Sequence, residues 1–309
     1  MSAAFVGAGI FRLNLDKDAR PALSQQARVS DFIQSVAMHL TNPATQSSRQ
    51  PACAGRFYPA NPDDLLRMVK DLLDAAVVAN EPPPKAIIAP HAGYIYSGPI
   101  AASAHARLRP ARDIIRRVVL LGPSHYAEFS GLAASAADVF VTPLGPVPVD
   151  QKEIARIRSL PQMMVFDQAH EPEHCLEVHL PFLQAILDEF AIVPLLVSEA
   201  TDEEITEVLA TLWGGTETRL VISSDLSHHH DYQTATSLDR ATAGLIERLR
   251  AEELDGDHAC GCRPIRGLLR LARQRALNPR CIDLRNSGDT AGPRDRVVGY
   301  GAFTFAERE

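Results

Sequence analysis

Two short apolar runs, Ala86-Ile-Ile-Ala89 and Val118-Val-Leu-Leu121, constrain this chain more than any other feature. Turn formers bound each of them, as they bound buried parallel strands. Each run stops at a proline and then presents a histidine: Pro90-His91 after the first, Gly122-Pro-Ser-His125 after the second. A third run, Leu220-Val-Ile-Ser-Ser-Asp-Leu-Ser-His228, repeats the design with Asp225 and His228. In an open α/β sheet, ligands bind outside the carboxyl ends of the strands. The runs therefore predict one site that gathers His91, His125, Asp225 and His228.

Strand and helix patterns alternate through most of the chain, which is the α/β signature. Asn61-Pro-Asp-Asp64 is a helix start, with Asn as cap, Pro in the first turn and carboxylates at the positive end of the dipole. Ser97–Leu108, Asp202–Leu212, Thr234–Arg250 and Ile265–Arg275 read as helices, and a leucine stripe predicts another over Leu176–Leu187, starting or kinking at Pro181. Ile192–Val197, Arg280–Leu284 and Val297–Phe305 read as strands. Leu132–Val141 and Val147–Val149, separated by Pro143-Leu-Gly-Pro146, read as edge strands or a hairpin. Thr41–Pro51 is polar and turn-rich, so residues 1–49 read as an N-terminal extension, disordered or holding one short amphipathic helix at Val29–Leu40. Residues 50–309 read as a single α/β domain.

A net charge of -7 and a pI near 5.9 imply no basic surface for nucleic acid. No apolar run approaches the roughly 20 residues that span a bilayer. Met1–Phe11 lacks the basic start and cleavage site of a signal peptide. The five cysteines are dispersed, which points to a reducing, cytoplasmic setting.

Neutral imidazole is a good ligand for iron, copper and zinc, which makes His91 and His125 candidate ligands. Cys260, in His258-Ala-Cys-Gly-Cys-Arg-Pro-Ile265, sits at the mouth of a predicted helix, where a thiolate is favoured; a small buried apolar role is the alternative. Asp225 can be a ligand, a partner that orients one, or a helix cap. His170-Glu-Pro-Glu-His174 matches the zinc pattern HExxH by letter, but Pro172 opposes the helix that pattern needs, so a polar loop is favoured. Glu177 and His179 read as pocket-wall residues or as partners that support the ligands from behind, Cys175 as structural, and His229 and His230 as a solvated loop. There is no GxSxG elbow for serine hydrolysis and no glycine-rich phosphate loop.

Six blocks, Ala54-Gly-Arg-Phe-Tyr-Pro59, Ala89-Pro-His-Ala-Gly-Tyr94, Leu121-Gly-Pro-Ser-His125, Glu173-His-Cys-Leu-Glu-Val-His-Leu-Pro181, Ser223-Ser-Asp-Leu-Ser-His228 and Cys260-Gly-Cys-Arg-Pro-Ile265, stand in the order seen in one family. From about residue 50 onward the chain resembles the Memo family, whose prokaryotic members are called AmmeMemoRadiSam system protein B. The resemblance implies the α/β fold of class III extradiol (LigB-like) dioxygenases: a mostly parallel central sheet flanked by helices, with a metal site at the strand ends. It implies His91, His125 and Cys260 as metal ligands, with Asp225 and His228 lining the same pocket in a catalytic, proton-moving role. It also implies a radical-SAM protein and an AMMECR-like protein as partners. The block usually reading CGRHPI departs here at Cys262 and Arg263, which removes a pocket histidine and adds a thiol.

The expectation is a mononuclear non-haem metal oxidoreductase, with Fe(II) first and Cu or Zn as alternatives, acting on an unidentified small molecule. A non-catalytic metal-binding adaptor and a zinc hydrolase are the other two readings.

Overall fold

A computed structural model describes residues 47–77 and 81–307. The readings made for residues 1–46, including the helix at Val29–Leu40, lie outside the described residues. In chain order the strands are β1 Ser48–Arg49, β2 Ala86–Ala89, β3 Arg117–Pro123, β4 Leu132–Ala134, β5 Val139–Thr142, β6 Gly145–Pro148, β7 Met163–Val165, β8 Ala191–Val197, β9 Thr218–Ser223, β10 His228–His230, β11 Asn278–Asn286 and β12 Val297–Ala306. The helices are α1 Pro62–Ala75, α2 Tyr94–His105, α3 Gln151–Ile157, α4 Asp167–His170, α5 Leu180–Ile186, α6 Asp202–Thr211, α7 Tyr232–Glu247 and α8 Cys262–Gln274.

The main sheet runs β10-β12-β2-β9-β3-β8-β4-β7, with β11 also on β12. Its centre, β2-β9-β3-β8, is parallel, while β12 and β4 join it antiparallel on either side. β2 and β9 are buried along their whole length, as the uninterrupted apolar runs demand. The proline-spaced segment forms the predicted excursion: β5 and β6 make a hairpin, and β1 pairs with β5 in a small separate sheet. Among the described residues, no helix is long and apolar enough to cross a membrane.

Helix starts follow their caps. The Asn61 side chain accepts from the N–H groups of Asp63 and Asp64, and Thr201 with Glu204 closes a capping box on α6. α2 begins at Tyr94, ahead of the predicted Ser97, because the Phe57 carbonyl takes the Tyr94 N–H at 2.8 Å. The predicted helix over Leu176–Leu187 forms only from Leu180, with Pro181 in its first turn and a 3-10 turn, Glu177–His179, before it. His229 and His230, expected as a solvated loop, form with His228 a short edge strand against β12, with His229 exposed.

Three histidines are buried away from water in this framework. His105 on α2 holds the Ala101 carbonyl through Nδ1 at 2.7 Å and stacks on His179, whose two ring nitrogens have no hydrogen-bond partner among the described residues. His170 on α4 meets the Ala133 carbonyl at 3.0 Å. Burial holds His105 and His170 at a pKa of about 4 and pushes His179 well below its ordinary value. All three are neutral when folded and protonate near pH 6.5 once unfolded. Their contribution is full above that pH and is lost as pH falls toward 4, by roughly 3 kcal/mol each for His105 and His170. The loss of melting temperature between pH 6.5 and 4 should be shallower in His105→Phe, which keeps the stacked ring and removes the titrating group. An unchanged slope would rule these histidines out as its source.

Candidate metal centre

The parallel register sets the site. Ala89 on β2 pairs with Ser223 on β9, and Leu121 on β3 pairs with Ile222, so the three strands end at nearly one level. Just beyond those ends stand His91, Asp225 and His125. The His91 and His125 rings lie 5.1 Å apart. Cys260 arrives from the loop before α8 and places Sγ 3.3 Å from His91 Nε2. Gly261 makes that approach possible: its N–H bonds Ser224 Oγ at 2.9 Å, and a Cβ there would lie 2.6 Å from Ser224 Cβ and 2.7 Å from the Ser223 carbonyl.

Hydrogen bonds select the ring nitrogens that face the site. Ser223 Oγ donates to the Cys175 carbonyl at 2.7 Å, so it accepts from His91 Nδ1, also at 2.7 Å. His91 Nε2 is then the lone-pair nitrogen, turned to Cys260. The Glu173 carboxylate accepts from His125 Nδ1 at 2.9 Å, which leaves His125 Nε2 as that ring's lone-pair nitrogen. The same carboxylate takes the backbone N–H groups of His125, His174 and Cys175. Burial alone would raise its pKa, but these bonds, led by His125, hold it at about 2.

His174 completes the cluster, a role that sequence reasoning missed. Its ring stacks on His125 at 4.9 Å, and the ligand atoms of His91, His125 and His174 all lie within 4.8 Å of one another. Burial holds His174 at a pKa of about 4 and His91 well below its ordinary value, so both rings are neutral donors at neutral pH. The HExxH letters do not act together: α4 ends at His170, whose ring points to the Ala133 carbonyl, while His174 turns the other way. After His170 the segment is the polar loop expected, with Glu171 and Pro172 exposed and the Glu173 side chain turned in and buried. Its one legible signal was ionisable residues crowded beside a strand-end histidine.

Glu177 is not a pocket wall. It pairs with the Arg49 guanidinium and accepts from the Tyr58 hydroxyl at 2.5 Å and the Ala52 and Cys53 N–H groups at 2.7 and 3.0 Å. Arg49 also holds the carbonyls of His170 and Glu173, so it ties β1 to the back of the His174 segment. His179 lies against His105, apart from the three clustered rings. Cys175 is structural: burial pushes its thiol well up, and Sγ donates to the Pro123 carbonyl at 3.1 Å. Ser124 donates to the Ala127 carbonyl at 2.7 Å and does not prime a nucleophile.

Two further expectations change. The Cys260 thiol is not acidic in the metal-free chain: burial, then the Asp225 charge, pushes its pKa up. Asp225 Oδ1 accepts the His91 N–H at 2.7 Å, so it anchors the ligand's backbone, and burial raises its carboxyl to about 7. His228, half-buried at the start of β10, is held below its ordinary value by burial and then feels the charges of His229 and His125.

Two carboxylates four positions apart thus serve different ends. Glu173→Gln should weaken metal binding about 10- to 100-fold, as losing a ligand's supporting partner does, with a smaller change in melting temperature. Glu177→Gln should do the reverse, leaving a buried Arg49 without its counter-charge at a cost of about 3–5 kcal/mol. Metal titration and thermal denaturation of both variants check this; equal effects on binding would show that the roles are not separate.

Residues 49–304 match the family model described as Memo-like protein. A MEMO1 family protein of Aquifex aeolicus (strain VF5) is 35% identical over 268 residues, which are 83% of this chain and 98% of the relative. MEMO1 family proteins of Sulfolobus acidocaldarius and Aeropyrum pernix are 33% and 35% identical, over 84% and 82% of this chain and 99% and 98% of theirs. Matched by the family model over most of its length and sharing nearly the full length of these relatives, the chain belongs to the Memo family.

Proposed function

We propose that this protein binds one redox-active metal ion through His91, His125 and Cys260, with His174 beside them, and that it works as a mononuclear oxidoreductase on a small molecule. The observation that carries the reading is the 3.3 Å contact between Cys260 Sγ and His91 Nε2, a nitrogen that Ser223 leaves unprotonated. One ion can touch both atoms at that separation, since metal–sulfur and metal–nitrogen bonds run about 2.3 and 2.0 Å. Imidazoles with one thiolate suit iron, copper and zinc; we place Fe(II) first, then Cu. A strand-end site on a largely parallel sheet supports the LigB-like fold reading, and five unpaired cysteines support a cytoplasmic setting.

The ion would supply one-electron exchange with oxygen. The chain's own part is positional and protonic. Ser223 and Glu173 orient the two imidazoles, and Asp225 fixes the His91 backbone. Asp225 and His228 are the groups placed to hold or pass a proton at near-neutral pH.

Anaerobically purified protein should carry one metal ion per chain by elemental analysis. His91→Ala should lose it and His229→Ala should keep it; full occupancy in a His91→Ala, Cys260→Ala double variant would sink the ligand assignment. After Fe(II) loading and exposure to oxygen, electron paramagnetic resonance should report oxidised iron, and mass spectrometry should find Cys260 oxidised in part. Asp225→Asn should hold the metal and slow oxygen uptake. A site that takes only zinc and stays unchanged at metal and sulfur would return the protein to the adaptor or hydrolase readings.

A further inference from the structure

The two strands that end at His91 and Asp225 begin at a second, separate cavity. Lys85 precedes β2 and Arg219 lies near the start of β9. An extended chain from Lys85 to His91 covers about 20 Å, so this end is remote from the metal centre. The cavity encloses about 970 Å³, at the upper end of small-molecule sites. Among the described residues, Lys85, Arg107, Arg219 and Arg280 line it against two carboxylates, Glu81 and Glu307. In a chain of net charge -7, that excess of positive charge is local.

Arg107 and Arg280 both reach Glu81, at 3.5 and 2.6 Å. Lys85 and Arg219 are only 4% and 7% exposed, and among the described residues neither has a carboxylate within ion-pair distance. Lys85 Nζ donates to the Gly215 and Thr218 carbonyls at 2.8 and 3.0 Å and lies over the Trp213 ring. Arg219 donates to the Thr216 and Thr218 carbonyls at 2.8 and 2.9 Å, and its Nε has no partner among the described residues. Glu217 and Glu307 act on both cations only from further away. Carbonyl dipoles soften buried charge without cancelling it, and two neighbouring cations also repel each other.

We propose that this cavity binds a small organic anion through a phosphate or carboxylate group. Arg219 and Lys85 supply the counter-charge, and the rigid wall Pro82–Pro84 packs against the apolar part of the ligand. The anion removes the imbalance that the bare cavity carries.

The test uses the full chain, purified without phosphate, with inorganic phosphate and succinate as probes at about 10 mM, chloride matching ionic strength in the control. At least one probe should give saturable heat in calorimetry and a higher melting temperature; the tighter of the two identifies the anionic group. Arg219→Met should weaken that binding about tenfold or more, and His91→Ala should leave it unchanged. If Arg219→Met does not fold, Arg280→Gln at the exposed rim should show the weakening instead. No binding of either probe would overturn the proposal, as would wild-type affinity in the folded cavity variants. So would loss of binding in His91→Ala, which would move the anion to the metal centre.

Discussion

Everything at the candidate metal centre depends on the register of three parallel strands. The ladder pairs Ala89 with Ser223 and Leu121 with Ile222, and no side chain at the site can be placed without it. A one-residue slip of β9 would turn Ser223 from His91 toward the opposite face, because side chains alternate with period two. The serine hydroxyl would then no longer set the imidazole tautomer. Burial makes such a slip costly: β2 and β9 are covered on both faces, so no polar edge can compensate a shifted register.

On that ladder, charge is handled differently at the two ends of the sheet. At the carboxyl end, the buried Glu173 carboxylate is surrounded by N–H donors, and the buried Glu177 carboxylate faces Arg49. Both stay ionised in spite of burial because hydrogen bonds and the guanidinium outweigh desolvation. Burial keeps the His91 and His174 imidazoles neutral, which is the form that can donate a lone pair. At the amino end, Lys85 and Arg219 are buried against carbonyl dipoles, with Trp213 under Lys85 and, among the described residues, no carboxylate at ion-pair distance from either.

The strands that carry the site were legible because they are buried on both faces and so read as unbroken apolar runs. β7 and β10 were not: Met164 and Val165 are part-exposed on a three-residue edge, and three histidines carry no apolar pattern. β9 begins at Thr218, ahead of its predicted start, because backbone pairing with Arg117 sets the end there. His91, His125 and Cys260 were singled out from strand ends and family blocks, and the structure brings Cys260 against His91. His174 was hidden because the Glu173 hydrogen bonds, which no spacing reveals, direct its backbone. Arg49 and Glu177 stand 128 positions apart, and a buried ion pair at that separation leaves no local signal.

The block that departs from the family pattern bears on how much the site tolerates. Arg263, at the position of the usual histidine, donates to the Ser198 carbonyl at 3.0 Å and pairs with Glu199, so it is engaged at the end of β8. A third imidazole nevertheless reaches the site, supplied by His174 from a different segment. The Cys260 position does not rest on residue 263. Gly261 is held by Ser224, and His91 by Ser223, so neighbouring residues of one strand end fix both donor atoms. Hydrogen bonds from the end of β9 thus hold both the Gly261 backbone and the His91 ring, and with them the sulfur–nitrogen separation.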